Sequence, residues 1–390
     1  MSASASAAGT RVALPPGLER VASRRILVTG PTVRIGLGPG DRALVRIGDE
    51  IEAGTPIAER TPDAEIADIG KLPGPEAADR PSEGTPAAGP RIDPPADPAG
   101  DQDAEAQPRH DRRTPPVPGK WWVGGAERRG RPPGKKSLNR VAGTLLFETN
   151  GRWRAAVGER HEVVESPVAG VVRDARNCVQ VTIEAVGSAI PAAIAAGEPS
   201  RGYLDVPRLT DGELWASALD VGRSGAVVVA GSRISAQAIS RARAMSIRGL
   251  IAGSVGHGEL RDLAASQQRQ RASLAPSVPF GLIALDGYQR RPLATPVLAL
   301  LAALAGREVA IVTDPPLLVF DVAEVPLPEL PPDWIRVRSG PNAGREGRWL
   351  EAVGLRRFQA GIYLEAAAVR FVDETEATIL PIADLERFVY

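Results

Sequence analysis

The sequence predicts a multidomain chain of α/β plus all-β class. Three observations carry this reading. The chain has 390 residues, enough for two or three domains. Between residues 224 and 312, apolar strand-like runs alternate with helix-forming stretches. On either side of that region, short β runs are broken by Gly and Pro turns, in a chain holding 41 Gly and 36 Pro.

Residues 1–24 read as a flexible N-terminus. Their Ser/Ala-rich start has no cationic segment followed by an apolar core, so a secretory leader is not expected and a soluble cytoplasmic protein is. Residues 25–72 carry short strands at 25–28, 43–47 and 51–59, separated by Gly-Asp and Ala-Gly turns. Residues 73–140 read as a disordered linker, too poor in large apolar side chains to offset the entropy of ordering. It is acidic first, with eleven Asp/Glu against three Lys/Arg over residues 63–105. It then turns basic, with ten Lys/Arg against three Asp/Glu over 120–160. Trp121, Trp122, Arg128, Arg129, Arg131, Lys135 and Lys136 fall in this basic stretch. Cations beside aromatics can grip a nucleic acid through phosphates and stacking, or lie along a solvated tail.

Residues 141–210 resume the strand pattern, with a hairpin expected at 143–148 and 152–157 around Asn150-Gly151. Residues 211–324 form the α/β domain. Strands are expected at 226–230, 249–252, 280–285 and 309–312, with helices at 235–245, 259–271 and 295–305. This β-α-β-α-β-α-β order implies a mostly parallel sheet. Residues 325–333 read as a Pro-rich linker and 334–390 as a small terminal β domain.

Three segments resemble known families. Residues 335–349, with Gly340-Pro341, Gly344 and Gly347 at their turns, look like a KOW motif, which implies an SH3-like β-barrel over 334–390. KOW modules contact RNA or protein in transcription and translation, and Arg336, Arg338 and Arg345 are the candidate contacts here. This region's eight Arg balance its eight Asp/Glu, so both partner classes stay open. Residues 45–59 and 165–172 resemble the two halves of a biotinyl/lipoyl-like barrel-sandwich hybrid, as also used in RnfC-type subunits. The resemblance implies one barrel split by the linker. Neither half holds the Lys that a carrier domain modifies, and one cysteine cannot ligate an iron–sulfur cluster. Residues 227–234 and 248–254 are similar to DRTGG-type regulatory domains. Their strand ends would gather Gly231, Ser232, Arg233, Gly253, Ser254, Gly256 and His257, with Asp286, Gly287 and Tyr288 from the next strand, as a candidate anion or nucleotide site.

No catalytic residue is expected, because protease, hydrolase and phosphate-loop motifs are absent. Cofactors and metals are not expected from three scattered His and one Cys. Cys178 reads as a buried or half-buried structural thiol on a strand. The leading expectation is a non-enzymatic binding or scaffold protein whose terminal barrel contacts a nucleic acid or a protein complex. The alternative is a small-molecule-responsive regulatory protein or enzyme. Membrane insertion is not expected, and the oligomeric state is left open.

Overall fold

A computed structural model describes residues 14–60, 63–70, 121–125, 140–149, 152–160, 162–207, 212, 214–272, 278–321, 327, 329–359 and 361–390. The described residues are rich in strands and hold three α-helices: α1 (Ala236–Ala244), α2 (His257–Ala272) and α3 (Thr295–Ala303). The chain divides into two compact units, 1–60 with 163–390, and 61–162.

The first unit is organised by a nine-stranded sheet. Its spatial order is Ile194–Gly197, Gly281–Ala284, Gly249–Ala252, Ala226–Val229, Ser200–Asp205, Glu308–Thr313, Pro316–Phe320, Ser188–Pro191 and Val28–Thr29. Only the three pairings from Ser200–Asp205 to Gly281–Ala284 are parallel, and the other five are antiparallel. The expected mostly parallel sheet is therefore corrected. The reason lies after α3. The chain returns antiparallel beside Ser200–Asp205 instead of crossing to extend the parallel set. An apolar run such as Glu308–Thr313 carries no signal for strand direction.

Alternation along Ala226–Val229 sorts the two faces of this sheet. Val227 and Val229 join Ile251, Ile283 and the α3 residues Val297, Leu300 and Leu301 in one core. Val228 joins Leu250, Leu282 and residues of α1 and α2 in another. Ser235 caps α1, its hydroxyl accepting from the Ala238 amide at 3.2 Å. A third core lies under two smaller sheets. One pairs Thr32–Gly36, Gln180–Ala185, Gly170–Arg176 and Glu50–Ile51, and the other pairs Val163–Glu165, Pro56–Glu59 and Arg42–Ala43. Segments on either side of residues 61–162 thus share one hydrophobic interior. Residues 188–205, expected in this β region, belong to the nine-stranded sheet. Cys178 is exposed on the turn joining Gly170–Arg176 to Gln180–Ala185, with φ of 60°, and is not a strand thiol.

The C-terminal sheet runs Ala22–Arg25, Leu385–Val389, Trp334–Val337, Glu346–Arg357, Tyr363–Phe371 and Thr378–Pro381. Its first strand comes from the other end of the chain and pairs parallel with the last. Leu18 and Val21 are buried in its core with Ile335, Val337, Trp349 and Phe371. The expected flexible N-terminus is corrected for residues 14–24. Leu18 and Val21 fill a hydrophobic interior that residues 334–390 leave incomplete. That pairing spans more than 350 positions, so no local pattern reports it.

The second unit contains a four-stranded antiparallel sheet in the order Asp63–Gly70, Arg152–Arg160, Arg140–Thr149 and Trp121–Gly125. Trp153 and Ala155, two apart on one strand, are buried. The expected hairpin around Asn150-Gly151 corresponds to its two longest strands. It lies in this unit, not in the barrel region assigned to 141–210. Trp121 and Trp122 sit on a strand, which corrects the linker reading for Trp121–Gly125. Residues 71–120 and 126–139, which hold Arg128, Arg129, Arg131, Lys135 and Lys136, lie outside the described residues.

Candidate functional site

The parallel strands Ala226–Val229, Gly249–Ala252 and Gly281–Ala284 end side by side, and their following loops meet. The Gly253 amide donates to the Gly231 carbonyl at 2.9 Å, the Asp286 amide to the Gly253 carbonyl at 2.7 Å, and the Val255 amide to the Gly287 carbonyl at 3.1 Å. Arg233 and Ile234 pair in parallel with Ser254 and Val255. The Ser254 hydroxyl donates to the Ser232 carbonyl at 2.8 Å, and both serines are buried. The loops predicted to converge do so, and these backbone groups satisfy one another. Arg233 is held by Glu259 on α2 at 3.1 Å. What this edge presents outward is His257 stacked on Tyr288, ring centroids 3.6 Å apart and 21° from coplanar.

Asp286 plays a different part. Its side chain is 2% exposed and accepts from both terminal guanidinium nitrogens of Arg336, at 2.9 and 3.0 Å. Arg24 of the N-terminal strand also pairs with Asp286. Glu386 lies 3.4 Å from Arg336 and 3.5 Å from Arg24, and Arg336 donates to the Pro292 carbonyl at 2.6 Å. Two cations and two carboxylates therefore close a buried network at the meeting of the strand edge, the C-terminal sheet and the N-terminal strand. A bidentate guanidinium–carboxylate pair is the strongest form of such a contact. Burial pushes the Asp286 carboxyl up. The hydrogen bonds and charge of Arg336, with the charge of Arg24, outweigh this and hold it below the usual carboxylate range.

This corrects two expectations. Asp286 is a structural anchor, not a ligand group, and the fully buried Arg336 cannot touch a nucleic acid or a partner. Alternation in Ile335-Arg336-Val337 normally turns Arg outward. Here residues 286–294 cover that outer face, so Ile335, Arg336 and Val337 are all buried. The join is reinforced nearby. The Glu346 carboxylate accepts from the Thr295 amide at 2.8 Å, at the start of α3. A side chain at Gly344, whose φ is 91°, would meet Pro292 at 2.8 Å.

Arg345 is engaged too. It bonds Asp373 and Glu374 at 2.7 Å each and lies over the Phe371 ring at 3.8 Å. Arg338 is exposed, and its side chain makes no ion pair among the described residues. It lines a cleft of about 370 Å³ together with Arg20, Ala22, Leu364, Glu365, Ile382 and Ala383.

The surface that residue-by-residue reading missed is the far end of the hairpin Glu346–Arg357/Tyr363–Phe371. Its base alternates buried and exposed, and past two register shifts after Trp349 and Ala352 the strand is exposed. Beyond them Leu355 and Tyr363 are 64% and 66% exposed, and Ile362 is exposed beside them. Arg356 and Arg357 make no ion pair among the described residues. Residues 352–364 contain no Asp or Glu, and that acid-free run is the sequence signal that could have found the tip.

Among the described residues no cluster of His, Cys, Asp and Glu could hold a metal ion, and no helix is long and apolar enough to cross a membrane. No protein-family model matches the chain, and no curated protein matches its sequence.

Proposed function

We propose that this is a non-enzymatic binding or scaffold protein that docks a protein partner on the hairpin tip of its C-terminal β domain. The observation that carries the proposal is the tip itself. It exposes Leu355, Ile362 and Tyr363 together, flanked by Arg356 and Arg357 in a run, 352–364, that holds no Asp or Glu. Clustered apolar side chains on a projecting element are the mark of an interaction surface, and Tyr and Arg are enriched in such interfaces. A nucleic-acid surface would be expected to offer more cations than aliphatic groups.

The C-terminal sheet reads as a KOW-like, SH3-like barrel completed by the N-terminal strand. The two small sheets read as a barrel-sandwich hybrid without a carrier lysine, so that region serves as framework. The partner would be a protein complex of transcription or translation, the setting that the KOW resemblance implies. Native purification tests the docking surface. A partner protein should be retained after ribonuclease treatment and lost from a Leu355→Asp/Tyr363→Asp variant. Loss of the partner on ribonuclease treatment alone would sink the reading and assign the surface to RNA.

One observation favours a second reading, a small anionic or nucleotide ligand at the strand edge. The exposed His257–Tyr288 stack is an aromatic platform beside Arg233. On that reading a panel of nucleotides raises the melting temperature of the wild type, and Arg233→Ala and His257→Ala remove the rise. No rise in the wild type ends it.

A further inference from the structure

We infer that the cleft beside the hairpin tip seats an acidic side chain of the docked protein, with the Arg338 guanidinium as its counter-ion. The inference rests on the reading of the tip as a protein-docking surface and adds the chemistry of the partner. Two guanidinium groups and one carboxylate line the cleft. Glu365 is already committed, both oxygens accepting from Arg20 at 3.3 Å. Asp384, next in sequence to the lining residue Ala383, accepts from the Ser339 hydroxyl at 2.5 Å. Arg338 is fixed through its amide, which donates to the Asp384 carbonyl at 2.7 Å, while its side chain is left without a counter-ion among the described residues.

The rest of the lining is apolar: Ala22, Leu364, Ile382 and Ala383. An occupant that satisfies this surface brings one carboxylate and an aliphatic neighbour. The volume suits part of a peptide chain, being at the lower end of ordinary ligand clefts. The cleft shares the strand Tyr363–Phe371 with the tip. Leu364 pairs with Arg356 and Glu365 with Leu355 across the hairpin. Arg338 in the cleft, and Arg356 and Arg357 on the neighbouring strand, make no ion pair among the described residues, and the cleft adds aliphatic side chains. Charge complementarity selects a partner segment that alternates acidic and apolar residues. A nucleic acid would bring phosphates but nothing for the apolar floor, and would meet Glu365 at the rim.

The test uses the full chain and a fluorescent dodecapeptide of alternating Leu and Glu, its Leu/Lys counterpart, and a single-stranded oligouridine. The Leu/Glu peptide should bind the wild type. Arg338→Ala should weaken it about ten-fold, the scale of one lost charge-assisted contact at a partly wet site. Arg338→Glu should reverse the preference toward the Leu/Lys peptide. Equal affinity of wild type and Arg338→Glu for the Leu/Glu peptide overturns the inference, as does its failure to bind the wild type. Arg338-dependent binding of the oligouridine in its place also overturns it and makes nucleic acid the occupant. If Leu355→Asp/Tyr363→Asp abolishes binding of the native partner while Arg338→Glu changes nothing, the cleft assignment fails and the docking surface stands. If neither variant loses the partner, both fail.

Discussion

Arg336→Ala is expected to lower the free energy of unfolding by about 3–5 kcal/mol, the cost of leaving a buried charge without its partner. Asp286 would remain almost fully buried, with Arg24 as its remaining ion-pair partner and Arg291 within range of its charge. The pH dependence separates this effect from simple loss of packing. In the wild type the Asp286 carboxyl is held below its usual range. Its contribution is therefore fully present above the unfolded pKa, about 3.9, and is lost as the pH falls through the lower folded value. Removing Arg336 takes away the largest of the influences that lower this carboxyl and leaves burial opposed by Arg24, so its folded value rises relative to the wild type. The variant should then gain stability relative to the wild type as the pH is lowered from neutral through the carboxylate range. Urea midpoints across that range check it, and parallel curves for the two proteins would contradict the role given to the network.

The second large effect lies at the other end of the chain. Leu18→Ala is expected to cost about 2–5 kcal/mol, as for other fully buried Leu residues cut back to Ala. Leu18 has no exposed surface and packs with Trp349, Phe371 and Leu385 of the C-terminal sheet. A chain beginning at Ile26 loses Leu18, Val21, the parallel strand and Arg24 together. Its residues 334–390 should no longer unfold as part of one cooperative transition. Tryptophan fluorescence follows this directly, because Trp349 is buried against Gly17, whose added side chain would lie 2.9 Å from Ala352.

Much of the α/β layer was legible because its signals are local. Ser235 caps α1, and the apolar runs at 226–229, 249–252 and 281–284 are central strands bounded by Gly. The loops carrying Gly231, Gly253 and Gly287 meet because strand ends of a parallel set must lie at one edge. What could not be read depends on distant pairing. Nothing in Ala-Ser-Arg-Arg announces a partner strand at 386–389. Nothing in Ile335-Arg336-Val337 says that a loop fifty positions earlier will cover the polar face. Asp286 looked like a ligand group for the same reason. A carboxylate at a strand end is a binding feature until a buried guanidinium is found against it. The hairpin tip was missed through attention to individual Arg residues, when the telling feature was the stretch of 352–364 without acids.

These findings make the C-terminal domain a joint product of both chain ends, fastened to the α/β layer through Asp286 and Arg336. Native-state hydrogen exchange tests that claim most directly. The amides of Ile26, Ile335, Trp349, Val369 and Phe388 should open with one shared free energy, which falls together in Arg336→Ala. Undiminished protection of Ile335, Trp349 and Val369 in the chain beginning at Ile26 would show that the terminal domain folds without the N-terminal strand, and would contradict the account.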